Sequence, residues 1–314
     1  MKRSSVTAGR VVVFGGFLLM ALVFSVTVPE TFLQLSTARN ILDQSVVPIV
    51  LVCALTFVLI TGEFDLSFTA IVGLAAGVVV LLVSHGVSVL LALGATVLLG
   101  GLIGLLVGTL VTLGRASSFI VTLAVGSAVT GIEYGLTGQT TIYQDIPESF
   151  SALATNEILG LRLPVWFALL VVIGAAITLQ ATRYGRQAQA VGSNVQAAYL
   201  AGVRVRRVKL LTFVMLGLLS AAAAIILTSR ASSYYPTASG GLLLSSYVAA
   251  FLGAAVGSQN RFTVGGGAFG VVFITTLQTG LTLNNQPAWT SALIQGVVLA
   301  AAVLIAARGK RDVA

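Results

Sequence analysis

The stretch from Arg183 to Leu210, RYGRQAQAVGSNVQAAYLAGVRVRRVKL, separates two long apolar segments. It holds six of the chain's 17 lysine and arginine residues and no acidic residue. It is either a surface loop of a soluble protein or a cationic break between membrane spans. The composition of the rest of the chain decides between these two interpretations.

The chain of 314 residues is 57% hydrophobic and only 8% charged, with a mean hydropathy of +1.04. A soluble domain typically has about 25% charged residues, and the strands of a soluble parallel sheet give apolar runs of only about 4–8 residues. The runs here are far longer, so we expect a membrane protein. One cysteine, Cys53, and one histidine, His85, exclude an internal disulfide and a Cys/His metal cluster, and we expect no cofactor.

The apolar runs predict an all-α fold. About 20 apolar residues cross a bilayer as a helix, and helices satisfy their own backbone hydrogen bonds in lipid. We therefore expect one transmembrane domain, 1–314, with a cytoplasmic loop at 183–209. Its bundle of about ten transmembrane helices is predicted at 11–29, 46–62, 66–84, 87–111, 117–137, 164–182, 209–229, 244–257, 263–283 and 288–307.

The basic residues predict the orientation, because lysine and arginine collect in cytoplasmic loops. With both chain ends in the cytoplasm, 14 of the 17 basic residues, Arg115 among them, lie inside. Arg39, Arg162 and Arg230 then lie outside. The mixed segment Thr31–Ser45 is predicted to form a separate short amphipathic helix along the outer surface.

Glycines at small-xxx-small spacing predict close helix packing in lipid. These are Gly73 and Gly77; Gly100, Gly104 and Gly108; Gly253 and Gly257; Gly266 and Gly270. A weak internal repeat is also visible, since FTAIVGLAAGVVV from Phe68 resembles FTVGGGAFGVVF from Phe262. Each follows a polar break, TGEFD or GSQNR, and paired interrupted segments are typical of transporters built from repeats.

Glu63 and Asp65 lie at a boundary between two predicted spans. An acid at the start of a helix favours the positive end of the helix dipole, so Asp65 is expected to cap the next helix. Because ionisable groups within membranes are costly, a role of both acids in transport or gating is the alternative. Catalysis is not expected, because the two acids have no facing carboxylate partner. The chain also has no GxxxxGK(S/T) phosphate loop, so ATP hydrolysis would need another subunit.

Within the opening stretch, Ser193 or Asn194 is suited to cap a short helix that ends before Gly202. Tyr199 and Leu200 would project from it. Two helical turns are not stable alone in water, so this helix must dock against another surface.

This pattern is similar to the coupling helix of bacterial ABC transporter permeases of the ribose type, G-x-N-E-x-A-A-x-x-S-G-I. The matching residues are Gly192, Asn194, Ala197, Ala198, Gly202 and Val203. Three more family elements occur in the right order. GG-x-D-L-S resembles Gly62 to Ser67, P-F-I-x-T-L resembles Ser118 to Leu123, and A-R-x-x-S-x-x-P-x-x-G resembles Ser229 to Gly240.

The resemblance implies a non-catalytic translocation subunit of the bacterial cytoplasmic (inner) membrane. Two permeases would form the pore, a cytoplasmic ABC ATPase would grip the coupling helices, and an extracytoplasmic binding protein would deliver substrate. Val195 stands where the family has Glu and Ala201 where it has Ser, which would suit a different second permease, so homodimer and heterodimer both stay open. The residues implied in ATPase coupling are Gly192, Asn194, Ala197, Ala198, Tyr199, Leu200, Gly202 and Val203, with Glu63, Asp65 and Ser67 as a gating or structural motif.

The substrate class that the resemblance implies is a monosaccharide or a similar polar hydroxylated metabolite. Arg162 and Arg230 are the outer cations expected to meet the binding protein. The alternative is a stand-alone secondary transporter that couples ions through Glu63 and Asp65; a membrane-embedded enzyme is a third hypothesis. The hydroxyl and amide groups proposed for the pathway are those of Thr122, Thr130, Thr276 and Asn284.

Overall fold

A computed structural model describes residues 2–114, 116–257 and 261–311. The predicted inner residue Arg115 and residues 258–260 of the second polar break lie outside this part. The described residues form fourteen α-helices and one antiparallel hairpin, which confirms the all-α class. The elements are α1 Lys2–Thr27, α2 Pro29–Phe32, α3 Leu35–Ile60, α4 Phe68–Ser84, α5 Val89–Gly114, α6 Ser118–Thr137, α7 Glu148–Thr155, β1 Glu157–Ile158, β2 Leu161–Arg162, α8 Leu163–Ala181, α9 Arg183–Ser193, α10 Val195–Leu200, α11 Val205–Ala231, α12 Leu242–Val256, α13 Val264–Leu283 and α14 Ala288–Arg311.

Every predicted span coincides with one of the long helices. Six helices of the described chain are long and apolar enough to cross a membrane, namely α3, α5, α6, α8, α11 and α13. Shorter apolar helices occupy Val13–Thr27, Phe68–Ser84, Leu242–Val256 and Ala288–Ala301. The chain is therefore an α-helical membrane bundle, and ten crossings remain a prediction.

The prediction of a separate surface helix at Thr31–Ser45 is wrong. After the single turn of α2, helix α3 runs without interruption from Leu35 to Ile60, with Pro48 inside it. Part of its polar surface is buried, since Asp43 is 6% and Ser45 0% exposed, whereas Arg39, Asn40 and Gln44 are exposed. The Ser45 hydroxyl donates to the carbonyl of Ile41 over 2.7 Å, so the helix itself satisfies that group.

The chain packs as two compact units, 53–243 and the two chain ends 1–52 with 244–314. In the first unit α4, α5, α6 and α11 pack on one another. A Cβ placed on Gly100 would lie 2.4 Å from the carbonyl oxygen of Gly217, and one on Gly104 would lie 2.3 Å from that of Phe213. The small-residue spacing therefore does bring the α5 and α11 backbones together, as predicted.

The unit formed by the chain ends also packs its helices closely at glycines. A Cβ on Gly266 would lie 2.4 Å from the Gly253 carbonyl oxygen, so α12 and α13 also approach closely. The Phe14 and Phe269 rings, with centroids 4.8 Å apart, join α1 to α13. Thr263 caps α13 by accepting a hydrogen bond from the amide of Gly266.

In the unit 53–243 the connecting segments gather at two ends of the helices. We call the end that carries 61–67, 116–117 and 182–204 the basic end. The end that carries 85–88, 138–162 and 232–241 is called the opposite end. The candidate site lies at the basic end, where three segments distant in sequence meet.

Candidate functional site

The short helix at the basic end is α10. The Asn194 side chain accepts a hydrogen bond from the amide of Ala197 over 2.9 Å, which confirms one of the two predicted caps. Ser193 instead donates its hydroxyl to the carbonyl of Gln189 at the end of α9. Gly202 follows α10 with a φ of +81°, a conformation that glycine adopts without the steric cost of a side chain.

Helix α10 has a buried side and an exposed side. Ala198 is 4% exposed and packs with Ala188, Val191 and Val208, which fixes α10 against α9 and α11. Tyr199 is 71% and Leu200 85% exposed. A small helix that is anchored by its own chain and presents two large apolar side chains is suited to contact another protein.

The end of α9 is in direct backbone contact with the end of α3. A Cβ placed on Gly192 would lie 1.9 Å from the carbonyl oxygen of Ile60, so only glycine fits at this contact. The next turn of the chain is made by Gly62, whose φ is +81°. Since Gly192 precedes the Asn194 cap by two residues, the segment that leads into α10 and the break between α3 and α4 are in contact.

Asp65 in that break caps helix α4. Its Oδ1 accepts hydrogen bonds from the amides of Ser67 and Phe68 at 2.7 and 2.9 Å and from the Ser67 hydroxyl at 2.8 Å. Burial raises the pKa of the Asp65 carboxyl to about 6, and these hydrogen bonds oppose the rise. The capping expected of Asp65 is therefore present.

Other contacts tie the break to two more helices. Glu63 forms an ion pair with Lys209 in the first turns of α11, and their side chains are 13% and 20% exposed. The amide of Phe64 donates to the Ser118 hydroxyl over 3.2 Å. The amide of Leu66 likewise donates to Thr122 over 3.1 Å, so the break is fixed to the start of α6 as well.

Two of the four pathway candidates lie in the unit 53–243 and two in the unit of the chain ends. Thr122 is fully buried against the break, and Thr130 lies half-buried further along α6. Thr276 and Asn284 belong to the unit of the chain ends, where Thr276 is 5% exposed. Asn284 ends α13 and donates its side-chain amide to the Thr27 hydroxyl.

The two outer arginines differ in exposure. Arg162 is exposed on β2 and lies across the hairpin from Glu157. Arg230 is half-buried in the last turn of α11. Within the described residues, no group of three or more His, Cys, Asp or Glu side chains could hold a metal ion.

Sequence reasoning missed Glu133. This residue lies inside the predicted span 117–137 and is 4% exposed in α6. Its carboxylate accepts a hydrogen bond of 2.8 Å from the hydroxyl of Tyr234. An acidic residue within a span is itself a signal of function, because such a group is costly in a membrane. That signal was present in the sequence, although its partner, 101 residues away, was not recognisable there.

Comparison with known proteins agrees with this architecture. Residues 37–303 match the family model described as branched-chain amino acid transport system / permease component. The L-arabinose ABC transporter permease protein AraH of Azospirillum brasilense is 33% identical over 92% of this chain and 84% of its own length. The ribose import permease protein RbsC is 30% identical in Escherichia coli K12 and 32% in Bacillus subtilis 168, over 92% and 93% of this chain and 91% of each relative.

The autoinducer 2 import system permease protein LsrC of Shigella flexneri is 28% identical over 88% of this chain and 81% of its own length. No solved structure was found to match. Six helices of the described residues are able to cross a membrane, and the chain is a protein of the inner membrane. The chain belongs to the family of transport-system permease components that the matched model describes, in the branch with the ribose-type ABC import permeases.

Proposed function

We propose that this chain is the translocation subunit of an ATP-driven importer that receives its substrate from a binding protein. The observation that carries the proposal is helix α10, which is capped by Asn194, anchored through Ala198 and exposed at Tyr199 and Leu200. A partner ATPase that grips these two side chains would move α10. The contact of Gly192 with Ile60 would then pass that motion to the break between α3 and α4.

The remaining parts of the importer follow from this role. The basic end faces the cytoplasm and the ATPase, as the excess of lysine and arginine in its segments favours. The same charge rule favours a cytoplasmic position for both chain ends. A second copy or a paralogue completes the pore. The opposite end faces an extracytoplasmic binding protein, with Arg162 as the better placed of the two proposed contacts because it is exposed. Charge reversal at Arg162 that leaves capture of the binding protein unchanged would remove it from the docking surface.

The substrate class that we propose is a monosaccharide or a similar polar hydroxylated metabolite. It is supported by relatives whose names state ribose, arabinose and autoinducer 2. Neutral hydrogen-bonding groups suit such a molecule, and Thr130 and Asn284 stay candidates for its pathway because both are half-buried rather than sealed.

The test is a pull-down of the tagged chain from native membranes in mild detergent. Leu200→Asp, at the 85% exposed tip of α10, should lower recovery of a co-purifying ATPase at least about tenfold, because an interface hot spot contributes about 2 kcal/mol or more. Leu159→Asp is the matched control, since Leu159 is 86% exposed in the hairpin at the opposite end. Equal ATPase recovery from both variants would contradict the proposal.

The alternative of an ion-coupled secondary transporter depends on Glu63 and Asp65. Its support is weaker, because Asp65 caps α4 and Glu63 pairs with Lys209. Uptake by the purified chain alone, driven by an ion gradient, would favour this alternative.

A further inference from the structure

Glu133 lies at the opposite end of α6 and is buried among groups that fit it closely. A Cβ placed on Gly73 of α4 would lie 2.4 Å from its Oε2, so the absence of a side chain at residue 73 leaves the space that the carboxyl occupies. One helical turn later, a Cβ on Gly77 would lie 2.8 Å from the side chain of Thr137 and 3.6 Å from the Tyr234 ring. The glycine spacing of α4 thus forms a groove for these polar side chains.

Tyr234 joins this groove to the connecting segments. It is 1% exposed, its hydroxyl donates to Glu133 and lies 3.3 Å from the Thr137 hydroxyl. Its backbone forms two hydrogen bonds with Ile142, of 2.8 and 2.9 Å, which pair the segments 138–147 and 232–241. The hydroxyls of Ser151 in α7 and Ser232 lie 2.7 Å apart, which attaches the segment 232–241 to α7 as well.

Two exposed tyrosines lie next to the hydrogen-bonded residues Ile142 and Tyr234. Tyr143 follows Ile142 and is 66% exposed, and Tyr235 follows Tyr234 and is 46% exposed. Tyrosine is enriched where proteins bind one another. A protein that binds these two side chains would displace the paired backbone of Ile142 and Tyr234. Because the Tyr234 hydroxyl is bonded to Glu133, the displacement would also reach the Glu133 carboxyl.

The same two helices are fixed at the basic end. There the break is bonded to α6 through Ser118 and Thr122, and Asp65 caps α4. Helices α4 and α6 therefore connect the segment that leads into α10, at one end, with the paired segments at the other. A change at either end can reach the other only while both attachments hold.

We propose that Glu133 is the positioning residue that attaches the paired segments 138–147 and 232–241 to α4 and α6, through the hydroxyl of Tyr234. It acts by accepting a hydrogen bond, so a neutral acceptor replaces it. In the importer, which rests on the proposed function, this attachment carries the signal of binding-protein docking to the break and the ATPase.

The first experiment is amide hydrogen exchange on the purified full chain, which needs no partner. Glu133→Leu and Tyr234→Phe should each make the amides of Ile142 and Tyr234 exchange about tenfold faster, because each removes a buried hydrogen bond. The amides of the double variant should exchange no faster than those of either single variant, since both substitutions break the same hydrogen bond. Glu133→Gln should keep the native rate, and Tyr235→Phe is the control for loss of an exposed hydroxyl.

Unchanged exchange in Glu133→Leu would overturn the proposal. So would a Glu133→Gln variant that behaves like Glu133→Leu, because the charge rather than the hydrogen bond would then matter. An increase spread over all helices would also overturn it, because Glu133 would then support the whole fold.

The second experiment compares basal and binding-protein-stimulated ATP hydrolysis of the reconstituted complex. Glu133→Leu should keep basal hydrolysis and lose most of the stimulation, whereas Glu133→Gln should keep both. Equal loss of basal and stimulated hydrolysis would contradict the signalling role. If the native chain recovers no ATPase, the proposed function fails, and the exchange experiment still decides whether Glu133 holds the paired segments.

Discussion

Helices α4 and α6 are fixed by different chemistry at their two ends. At the basic end the attachments are backbone amides on Ser118 and Thr122, the Asp65 cap and the Glu63–Lys209 ion pair. At the opposite end a buried carboxylate meets the uncharged hydroxyl of Tyr234. The first arrangement depends on several side chains that each meet a particular backbone amide or charge, whereas the second needs only one hydrogen-bond acceptor. The two ends should therefore differ in their tolerance of substitution.

The largest difference is expected between two glycines. Gly192→Ala at the basic end puts a methyl group 1.9 Å from the backbone oxygen of Ile60, and we expect a loss of about 3 kcal/mol in the free energy of unfolding. Gly73→Ala at the opposite end meets the end of the flexible Glu133 side chain, and we expect about 1 kcal/mol. Thermal unfolding in detergent measures both.

Gly174→Ala is the control for these glycines, because no atom beyond the neighbouring backbone of its own helix lies within 4 Å of the added methyl group. It should be neutral or stabilise the chain by up to about 1 kcal/mol through helix propensity. Equal losses at positions 192 and 73 would contradict the distinction between a backbone and a side-chain obstacle.

The ion pair gives the second largest effect. Glu63→Gln and Lys209→Met should each destabilise the chain by about 2 kcal/mol, because each leaves a charge with little access to water. The double variant should be more stable than the sum of the two losses predicts, with a coupling of about 1 kcal/mol. Additive losses in a denaturation cycle would mean that the pair contributes nothing to fixing the break.

The smallest effect is expected at the cap of α10. Asn194→Ala should cost about 1 kcal/mol of local helix stability, because the amide of Ala197 loses its acceptor. Amide exchange at Ala197 to Leu200 should rise and ATPase recovery should fall, while Asn194→Ser should restore both. Faster exchange with full ATPase recovery would separate α10 from the coupling role.

The difference between the ends also explains what the sequence could reveal. The caps made by Asp65 and Asn194 act on residues two or three positions away, so local pattern was enough to predict them. The long helices were predictable because their apolar runs fit the thickness of a bilayer. The Glu63–Lys209 and Tyr234–Glu133 pairs join residues 146 and 101 positions apart, and no local pattern indicates such partners.

The error at Thr31–Ser45 has a similar cause. Polar residues were taken as evidence of a surface, yet Ser45 is fully buried and bonded to its own helix. Which polar residues of a membrane helix face lipid, protein or water is set by its neighbours, and a single sequence does not contain that information.

The most direct measurement is photo-crosslinking in native membranes from single cysteines at the two ends. Cys53, the natural cysteine, is 1% exposed and leaves little background. A benzophenone maleimide on Leu200→Cys should give an adduct with a cytoplasmic ATPase, and the same probe on Leu159→Cys should give none. An ATPase adduct from position 159, or its absence from position 200, would contradict the assignment of α10 as the coupling helix.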